Sequence, residues 1–344
     1  MSDSGEYQGS QAYAQKVPSD EFISPNTGSV NFSRTLINLR GVTKAIDLSV
    51  RLSYTSGSRG SFGLPQNWGL EIPFTIPFQS LTTQGKTFVV DPDWSDQTGW
   101  QSGLRYVNHH GMKFEQVFPA EPLPSGRPGD YSWRFRLADG AVEYFDDFGK
   151  LLEHDDIDGN SIYYAYVDPT AAPLTAKVDH ILDSWGQTIQ FQYDLDADLR
   201  VTAPDGGETT VLFGSQGVDS IKDAMGYTTS FTYLTLANVT LIDTINFPIG
   251  LQSKFEYITL TALDPNGNQF DIPACSKHVH FDTNSRIVSN TNYVYGEETG
   301  FANYTGSNIE CRTGGPLDSL MDSNNQDYRY ISDCVSLPFV TNLV

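Results

Sequence analysis

Apolar and polar residues alternate along most of this chain, and the alternation predicts β-strands. Apolar residues occupy every second position from Leu48 to Tyr54, so a strand there would place them all on one face. No long window repeats apolar residues at intervals of three and four, which is the spacing that an amphipathic helix needs. The pattern therefore predicts an all-β protein.

The residues around Gly186 show how two such strands join. Before the glycine, alternation predicts Val178 and His180 on one face of a strand and Ile181 on the other. After the glycine, the apolar positions from 189 to 193 share one face. Alternating segments on both sides of a glycine turn are typical of a β-hairpin.

Four segments of the chain share one spacing, each built around a glycine: Gly159, Gly186, Gly226 and Gly250. An aromatic residue follows each glycine at five positions and a tyrosine at seven, giving the pairs Tyr164/Tyr166, Phe191/Tyr193, Phe231/Tyr233 and Phe255/Tyr257. An aliphatic residue lies eight positions before each glycine: Leu151, Val178, Val218 and Ile242. A repeat of this kind indicates tandem supersecondary units that bury their apolar faces against their neighbours.

Three of the four glycines follow an aspartate by three positions: Asp156, Asp183 and Asp223. The aspartate can accept hydrogen bonds from the backbone two residues on, and glycine tolerates the positive φ that closes the turn. The fourth copy has Phe247 in place of the aspartate. Two degenerate copies are predicted at Asp146–Gly149 and Asp264–Gly267, the second of which lacks the aromatic pair.

The order and number of these motifs resemble the RHS family of YD-repeat proteins. The stretches 140–152 and 156–166 carry the YD pattern, and the stretches 24–30, 46–54 and 63–73 resemble the opening of an RHS shell. The family includes bacterial Rhs effectors, the cocoon subunits of Tc insecticidal toxins and the YD shell of teneurins. The resemblance covers roughly residues 22 to 257.

The resemblance implies a β-sheet ribbon that spirals into a shell around a toxin or other cargo. Larger members carry a self-cleaving aspartyl protease with an Asp-Pro-x-Gly-Leu type of segment, and Asp264–Gly267 lacks the following leucine. Too few hairpins are present for a closed compartment. The expected partner is therefore another shell-forming chain or a second copy of this one, with toxin as a candidate cargo.

Charge and composition narrow the classes of partner. The 344 residues include 21 basic and 42 acidic ones, a formal charge of −21. That excess disfavours nucleic acid and anionic membrane as partners, and no apolar run is long enough to insert into a bilayer. The first 20 residues lack the pattern of a secretory signal. We expect the protein to be made in the cytoplasm. If it leaves the cell, we expect it to do so as part of a larger toxin complex.

Few side chains suggest chemistry. One face of a predicted strand would carry His278, His280 and Asp282, which could together approach a metal ion. A pair of surface histidines is the favoured interpretation. No metal site or cofactor is therefore predicted. Trp94 and Trp100 lie beside acidic residues, a combination that can bind sugar rings. We find no nucleophile with an assignable base, no phosphate-binding loop and no dinucleotide fingerprint. No catalytic residue is predicted, and the chain is expected not to be an enzyme.

The predicted fold is all-β, with antiparallel hairpin repeats in a curved ribbon that forms part of an RHS-type shell. The predicted division is a disordered arm (1–20), an N-terminal β region (21–130), the repeat hairpins (131–260) and a degenerate β and loop region (261–344). The alternatives are a module that binds carbohydrate or a cell-surface protein through Trp94 and Trp100 and, with less support, a polysaccharide-active enzyme. The repeat residues expected to build the scaffold are Asp156, Gly159, Tyr164, Tyr166, Asp183, Gly186, Phe191, Tyr193, Asp223, Gly226, Phe231, Tyr233, Gly250, Phe255 and Tyr257.

Overall fold

The structure, a computed structural model, describes residues 21–24, 28–39, 48–58, 60–77, 80–83, 86–89, 113–194, 198–263, 269–295 and 340–343. These residues form antiparallel strands, turns and irregular segments without any helix, and the predicted all-β class is confirmed. Within the same residues, nothing forms a helix of the length and apolarity needed to span a bilayer. The predicted arm at 1–20 lies outside the described residues.

The strands form three sheets, with four, three and sixteen strands. The four-stranded sheet, called here the N-terminal sheet, contains β1 (Glu21–Ile23), β2 (Val30–Leu39), β3 (Leu48–Thr55) and β4 (Trp68–Leu70) in that order. The three-stranded sheet contains β5 (Phe74–Ile76), β6 (Ser80–Thr83) and β7 (Lys86–Val89). The alternating segment that ends at Tyr54 is β3, as predicted.

The largest sheet, called here the ribbon, is a meander in which each strand pairs with the next one along the chain. Its strands are β8 (Lys113–Pro122), β9 (Asp130–Arg136), β10 (Val142–Phe145), β11 (Leu151–Asp155), β12 (Ser161–Tyr166), β13 (Val178–Asp183), β14 (Thr188–Tyr193), β15 (Leu199–Thr202), β16 (Glu208–Phe213), β17 (Val218–Lys222), β18 (Thr228–Leu236), β19 (Val239–Asn246), β20 (Gln252–Leu263), β21 (Gln269–Phe281), β22 (Ile287–Tyr295) and β23 (Val340–Leu343). The ribbon continues without a break through residues 130 and 260, which are the predicted boundaries of the repeat region. Those boundaries remain predictions.

Connections in a meander fall alternately on its two edges. One edge, called here the turn edge, holds the tight turns at 137–141, 156–160, 183–187, 203–207, 223–227, 247–251 and 282–286. The other edge holds the turn at 146–150, the two-residue turn at Ala237 and Asn238 between β18 and β19, and connections that include 167–177 and 214–217.

A β-bulge recurs at the end of the repeat strands and changes which residues face the core. In β13, Tyr166 pairs with Val178 and Ala165 with His180, so Asp179 is the extra residue. Val178 and Ile181 are consequently both buried while His180 is half-buried. The predicted face shared by Val178 and His180 is wrong, because simple alternation cannot account for an inserted residue. Comparable register shifts lie near Phe145, Phe213, Tyr233 and Tyr257.

The N-terminal sheet packs against one face of the ribbon. Phe32, Tyr54 and Trp68 belong to the same buried cluster as the ribbon residues Phe191 and Phe231. Polar contacts also cross between the two layers. The Ile242 N–H donates to the Tyr54 hydroxyl at 3.1 Å, Asn67 Nδ2 to the Thr240 carbonyl at 2.7 Å, and Thr209 Oγ1 to the Leu36 carbonyl at 2.8 Å. The ribbon face that carries the repeat aromatics is therefore covered by the chain's own N-terminal strands.

Candidate functional site

The tight turns of the repeat share one hydrogen-bond pattern. In the turn at 183–187, the Gly186 N–H donates to the Asp183 carbonyl at 3.3 Å, and Asp183 Oδ1 accepts from the N–H groups of Trp185 and Gln187 at 2.9 and 2.8 Å. Gly186 has a φ of +83°, which completes a three-residue hairpin loop. Asp156 and Asp223 accept the same pair of backbone bonds in their turns. Although burial opposes it, hydrogen bonds from Asn160 and the backbone lower the pKa of Asp156.

The fourth repeat forms the same turn without an aspartate. The Phe247 N–H donates to the Leu251 carbonyl at 2.9 Å, and the Gly250 N–H donates to the Phe247 carbonyl at 3.0 Å. Gly250 has a φ of +80°. The left-handed glycine is therefore common to all four repeats, whereas the aspartate adds hydrogen bonds in three of them.

Sequence reasoning missed a copy of the turn at 203–207. The Gly206 N–H donates to the Ala203 carbonyl at 2.9 Å, and Gly206 has a φ of +86°. Val211 and Phe213 occupy the positions at which the repeat has an aromatic residue and a tyrosine. The spacing of aromatic residues therefore did not reveal this copy. Gly206 divides the 40-residue interval between Gly186 and Gly226 into two intervals of 20.

Three more turns complete the series. Those at 137–141 and 282–286 lie on the turn edge, the second with Ser285 at a φ of 60° in place of glycine. The predicted degenerate copy at Asp146–Gly149 forms the turn at 146–150 on the opposite edge. The copy predicted at Asp264–Gly267 lies outside the described residues.

The repeat tyrosines hold the β-bulges. Each tyrosine hydroxyl forms a hydrogen bond with the backbone of the aliphatic residue 15 positions earlier. Three hydroxyls donate to a carbonyl: Tyr166 to Leu151 (2.8 Å), Tyr233 to Val218 (2.6 Å) and Tyr257 to Ile242 (2.5 Å). The Tyr193 hydroxyl instead accepts from the Val178 N–H (3.2 Å). A bulge leaves backbone groups unpaired in the ladder, and the hydroxyl satisfies one of them. This contact gives a physical reason for the fixed spacing between the aliphatic residue and the tyrosine. Burial raises the pKa of all four phenols.

The aromatic residues five positions after the glycines are buried: Tyr164, Phe191, Phe231 and Phe255. The Phe231 ring contacts Phe32 and Trp68, with centroid distances of 5.1 and 5.0 Å. Within the described residues its ring partners therefore come from the N-terminal sheet. In the part of the chain that the structure describes, the Phe231 ring therefore packs against the rings of the other sheet and not against those of the adjacent repeats. The sheet that packs on the ribbon supplies the nearest aromatic surface.

A buried lysine is a second feature that sequence reasoning missed. Lys150 is fully buried, and its Nζ contacts Asp146 Oδ2 at 2.7 Å and donates to the carbonyls of Pro169 and Ala171 at 2.9 and 2.7 Å. Burial raises the pKa of Asp146, and the contacts with Lys150 oppose that effect. All three ammonium donors have partners, so the lysine joins the turn at 146–150 to the loop at 167–177.

The two tryptophans predicted to bind sugar, Trp94 and Trp100, lie outside the described residues. The carbohydrate-binding hypothesis therefore stays a prediction. The histidines predicted as a surface pair, His278 and His280, are instead buried, and that interpretation is wrong because β1 of the N-terminal sheet lies over them.

Comparison with protein-family models gives no match, and neither does comparison with curated proteins. Among solved structures, the crystal structure of TcdB2-TccC3 matches with a TM-score of 0.34 and 11% identity, covering 80% of this chain and 16% of that one. The Tc holotoxin pore of Photorhabdus luminescens gives 0.33 and 11% with the same coverage. The TCP10 domain of Danio rerio CPAP, bound to a STIL peptide, gives 0.15 and 14%, covering 50% of this chain and 98% of that one.

Proposed function

We propose that this chain is a non-enzymatic structural module of the RHS/YD-repeat type, a section of the β-sheet wall around a toxin or other cargo. The observation that carries the proposal is the continuous ribbon from β8 to β22, built from hairpins that repeat one turn and one tyrosine contact. Such repeats place the contacts that they share between neighbouring strands, which suits a scaffold.

The turn edge supplies a surface for the partner that a wall requires. Five large apolar side chains on this edge are 51–80% exposed: Ile157, Trp185, Met225, Tyr227 and Ile249. Hairpins on the same edge are separated by two strands, or about 10 Å, so these side chains lie in a row along the edge. The row has a gap at the turn 203–207, which holds no large apolar side chain. When a ribbon winds into a wall, successive windings meet along the hairpin ends. The row is therefore the surface that we expect a second copy of the chain or another shell chain to cover.

Light scattering on the purified chain tests the proposal. We expect assemblies larger than a monomer, and a lower mass for the double variant Trp185→Ser/Met225→Ser. Val167→Ser is the matched control, because Val167 is an exposed apolar residue in the loop at 167–177 on the opposite edge. A wild-type chain that stays monomeric at concentrations on the order of 100 µM, where even weak interfaces are populated, would contradict self-assembly of the wall.

The proposal includes the absence of catalysis, and production in the cytoplasm followed by export within a larger complex. A screen against polysaccharide substrates tests the first part, and reproducible turnover would overturn it. Fractionation of the producing cells tests the second. Appearance of the chain outside the cell with no associated chain would count against export as part of a complex.

A further inference from the structure

Three buried side chains from distant parts of the chain meet between the N-terminal sheet and the ribbon. His278 and His280 point to the same side of β21, and Glu21 comes from β1. The exposed fraction of the side chain is 0% for Glu21, 8% for His278 and 9% for His280. Ser253, fully buried, is the cross-strand neighbour of His280 in β20.

The spacing of these side chains suits a small divalent metal ion. Glu21 Oε1 lies 3.6 Å from His278 Nε2 and 3.6 Å from His280 Nδ1, and one candidate ligand atom from each residue lies within 4.8 Å of the others. Ligand atoms that surround a tetrahedral zinc ion at about 2.0–2.2 Å are roughly 3.3–3.6 Å apart. A small movement of the side chains would therefore complete three of the four ligand positions.

Hydrogen bonding within the protein leaves part of this cluster unsatisfied. Glu21 Oε2 and His278 Nε2 are both buried and have no hydrogen-bond partner. Burying a carboxylate without a compensating positive charge is costly. A divalent cation would supply that charge and would also use the lone pair of His278 Nε2.

The cluster is not arranged as a nucleophile triad. The Ser253 hydroxyl lies 2.8 Å from His280 Nδ1 and also contacts Glu21 Oε1. In a triad the serine and the carboxylate bond to opposite ring nitrogens, whereas here both approach the same one. Asp282, which the sequence placed beside the histidines, instead accepts the N–H groups of its own turn. Glu21 supplies the carboxylate in its place.

We propose that Glu21, His278 and His280 bind one divalent transition-metal ion, with Zn²⁺ as the best-fitting ion, and that the ion joins the N-terminal sheet to the ribbon. Two imidazoles favour zinc and its neighbours over magnesium or calcium. The Ser253 hydroxyl or a water molecule would provide the fourth ligand. Because the three side chains are buried, the role assigned to the ion is structural. The Cys275 N–H, which donates to the Gly28 carbonyl at 2.9 Å, already holds the same two layers together.

Metal binding by the full chain, after treatment with a chelator, tests this proposal. We expect one equivalent of Zn²⁺ to bind with a Kd below about 1 µM and to raise the melting temperature. Glu21→Gln and His278→Gln should each weaken binding by more than about 100-fold, because changes outside the ligands themselves already cost roughly 10- to 100-fold. His180→Gln should bind Zn²⁺ as the wild type does. His180 is a partly exposed histidine of β13, away from the proposed site, and its Nδ1 lies 2.7 Å from Asp179 Oδ2.

Cobalt substitution gives a second readout, which the wild type can supply even without the variants. Co²⁺ in a four-coordinate site should give intense visible absorption in the wild type, and Glu21→Gln should lose it. Less than one equivalent of zinc, equal affinity in wild type and variants, or the weak spectrum of six-coordinate cobalt would each overturn the proposal. If either variant fails to fold, the wild-type cobalt spectrum decides the question.

Discussion

Truncation of Phe231 tests whether the N-terminal sheet stabilises the ribbon through ring contacts. Phe191 is a matched control, because it occupies the same position of its repeat and both residues are 6% exposed. Phe231 contacts two rings, Phe32 and Trp68, whereas within the described residues Phe191 shows no ring contact. The two substitutions to alanine should therefore differ mainly by those contacts.

Truncation of a buried phenylalanine costs about 3–5 kcal/mol of unfolding free energy. An aromatic pair adds about 0.5–1.5 kcal/mol beyond the buried area, so the two rings around Phe231 are worth roughly 1–3 kcal/mol. We expect Phe191→Ala near the lower limit of the range for truncation. Phe231→Ala should cost about 1–3 kcal/mol more.

Urea denaturation followed by far-ultraviolet circular dichroism measures both values, provided that the slopes with denaturant agree among the proteins. A double variant that combines Phe231→Ala with Phe32→Ala should show coupling of about 0.5–1.5 kcal/mol, as expected for residues in contact. Equal costs for the two single variants, or a cost for Phe231→Ala below about 1 kcal/mol, would refute the argument that the ring contacts join the layers.

Three further predictions concern the repeat itself. Tyr233→Phe removes the bond to the backbone and the acceptor for Trp68 Nε1 at 3.1 Å, and thermal or urea unfolding should show a loss of about 1–3 kcal/mol. Gly149→Ala places a methyl group 1.9 Å from the Thr75 carbonyl oxygen at a φ of +95°, and it should lower the free energy of unfolding by about 2–5 kcal/mol. Gly186→Ala is the control, because Gly186 also has a positive φ but no atom lies within 4 Å of the added methyl group. It should lower the free energy of unfolding by only about 1–2 kcal/mol. Because burial raises the pKa of the repeat tyrosines above 10, their contribution to stability is complete below pH 10 and is lost as the pH rises further. The last part of the tyrosinate absorbance should therefore appear only together with the loss of circular dichroism. Complete tyrosinate formation by all 18 tyrosines in a protein that keeps its fold would contradict the burial of these phenols.

The parts of the fold that could be predicted from the sequence are those determined by neighbouring residues. Alternation and glycine spacing predicted the all-β class and the antiparallel hairpins, because the turn at Gly186 depends only on residues 183 to 187. The copy at Gly206 escaped because Val211 fills the core position as well as an aromatic residue does. The inserted residue at Asp179 escaped because alternation assumes an unbroken strand.

The contacts between layers were beyond prediction for a different reason. The bond between Ile242 and Tyr54 joins residues 188 positions apart, and the contact between Ser253 and Glu21 joins residues 232 positions apart. No local pattern marks either pair. A buried carboxylate such as Glu21 is also rare unless it has a charged or metal partner, so sequence reasoning assigns such a residue to the surface.

The covered face of the ribbon restricts where an enclosed cargo could lie. The buried cluster extends along the ribbon from Phe114 to Cys275 and includes all four strands of the N-terminal sheet. That face is therefore filled by the chain itself and is not available to cargo. A wall built from this module would hold its cargo against another surface, and the exposed row on the turn edge would carry the contact with the next winding. Electron microscopy of an assembled particle should accordingly show both layers, the ribbon and the N-terminal sheet, within the thickness of the wall. Density for the N-terminal sheet that projects into the lumen as a separate body would contradict that arrangement.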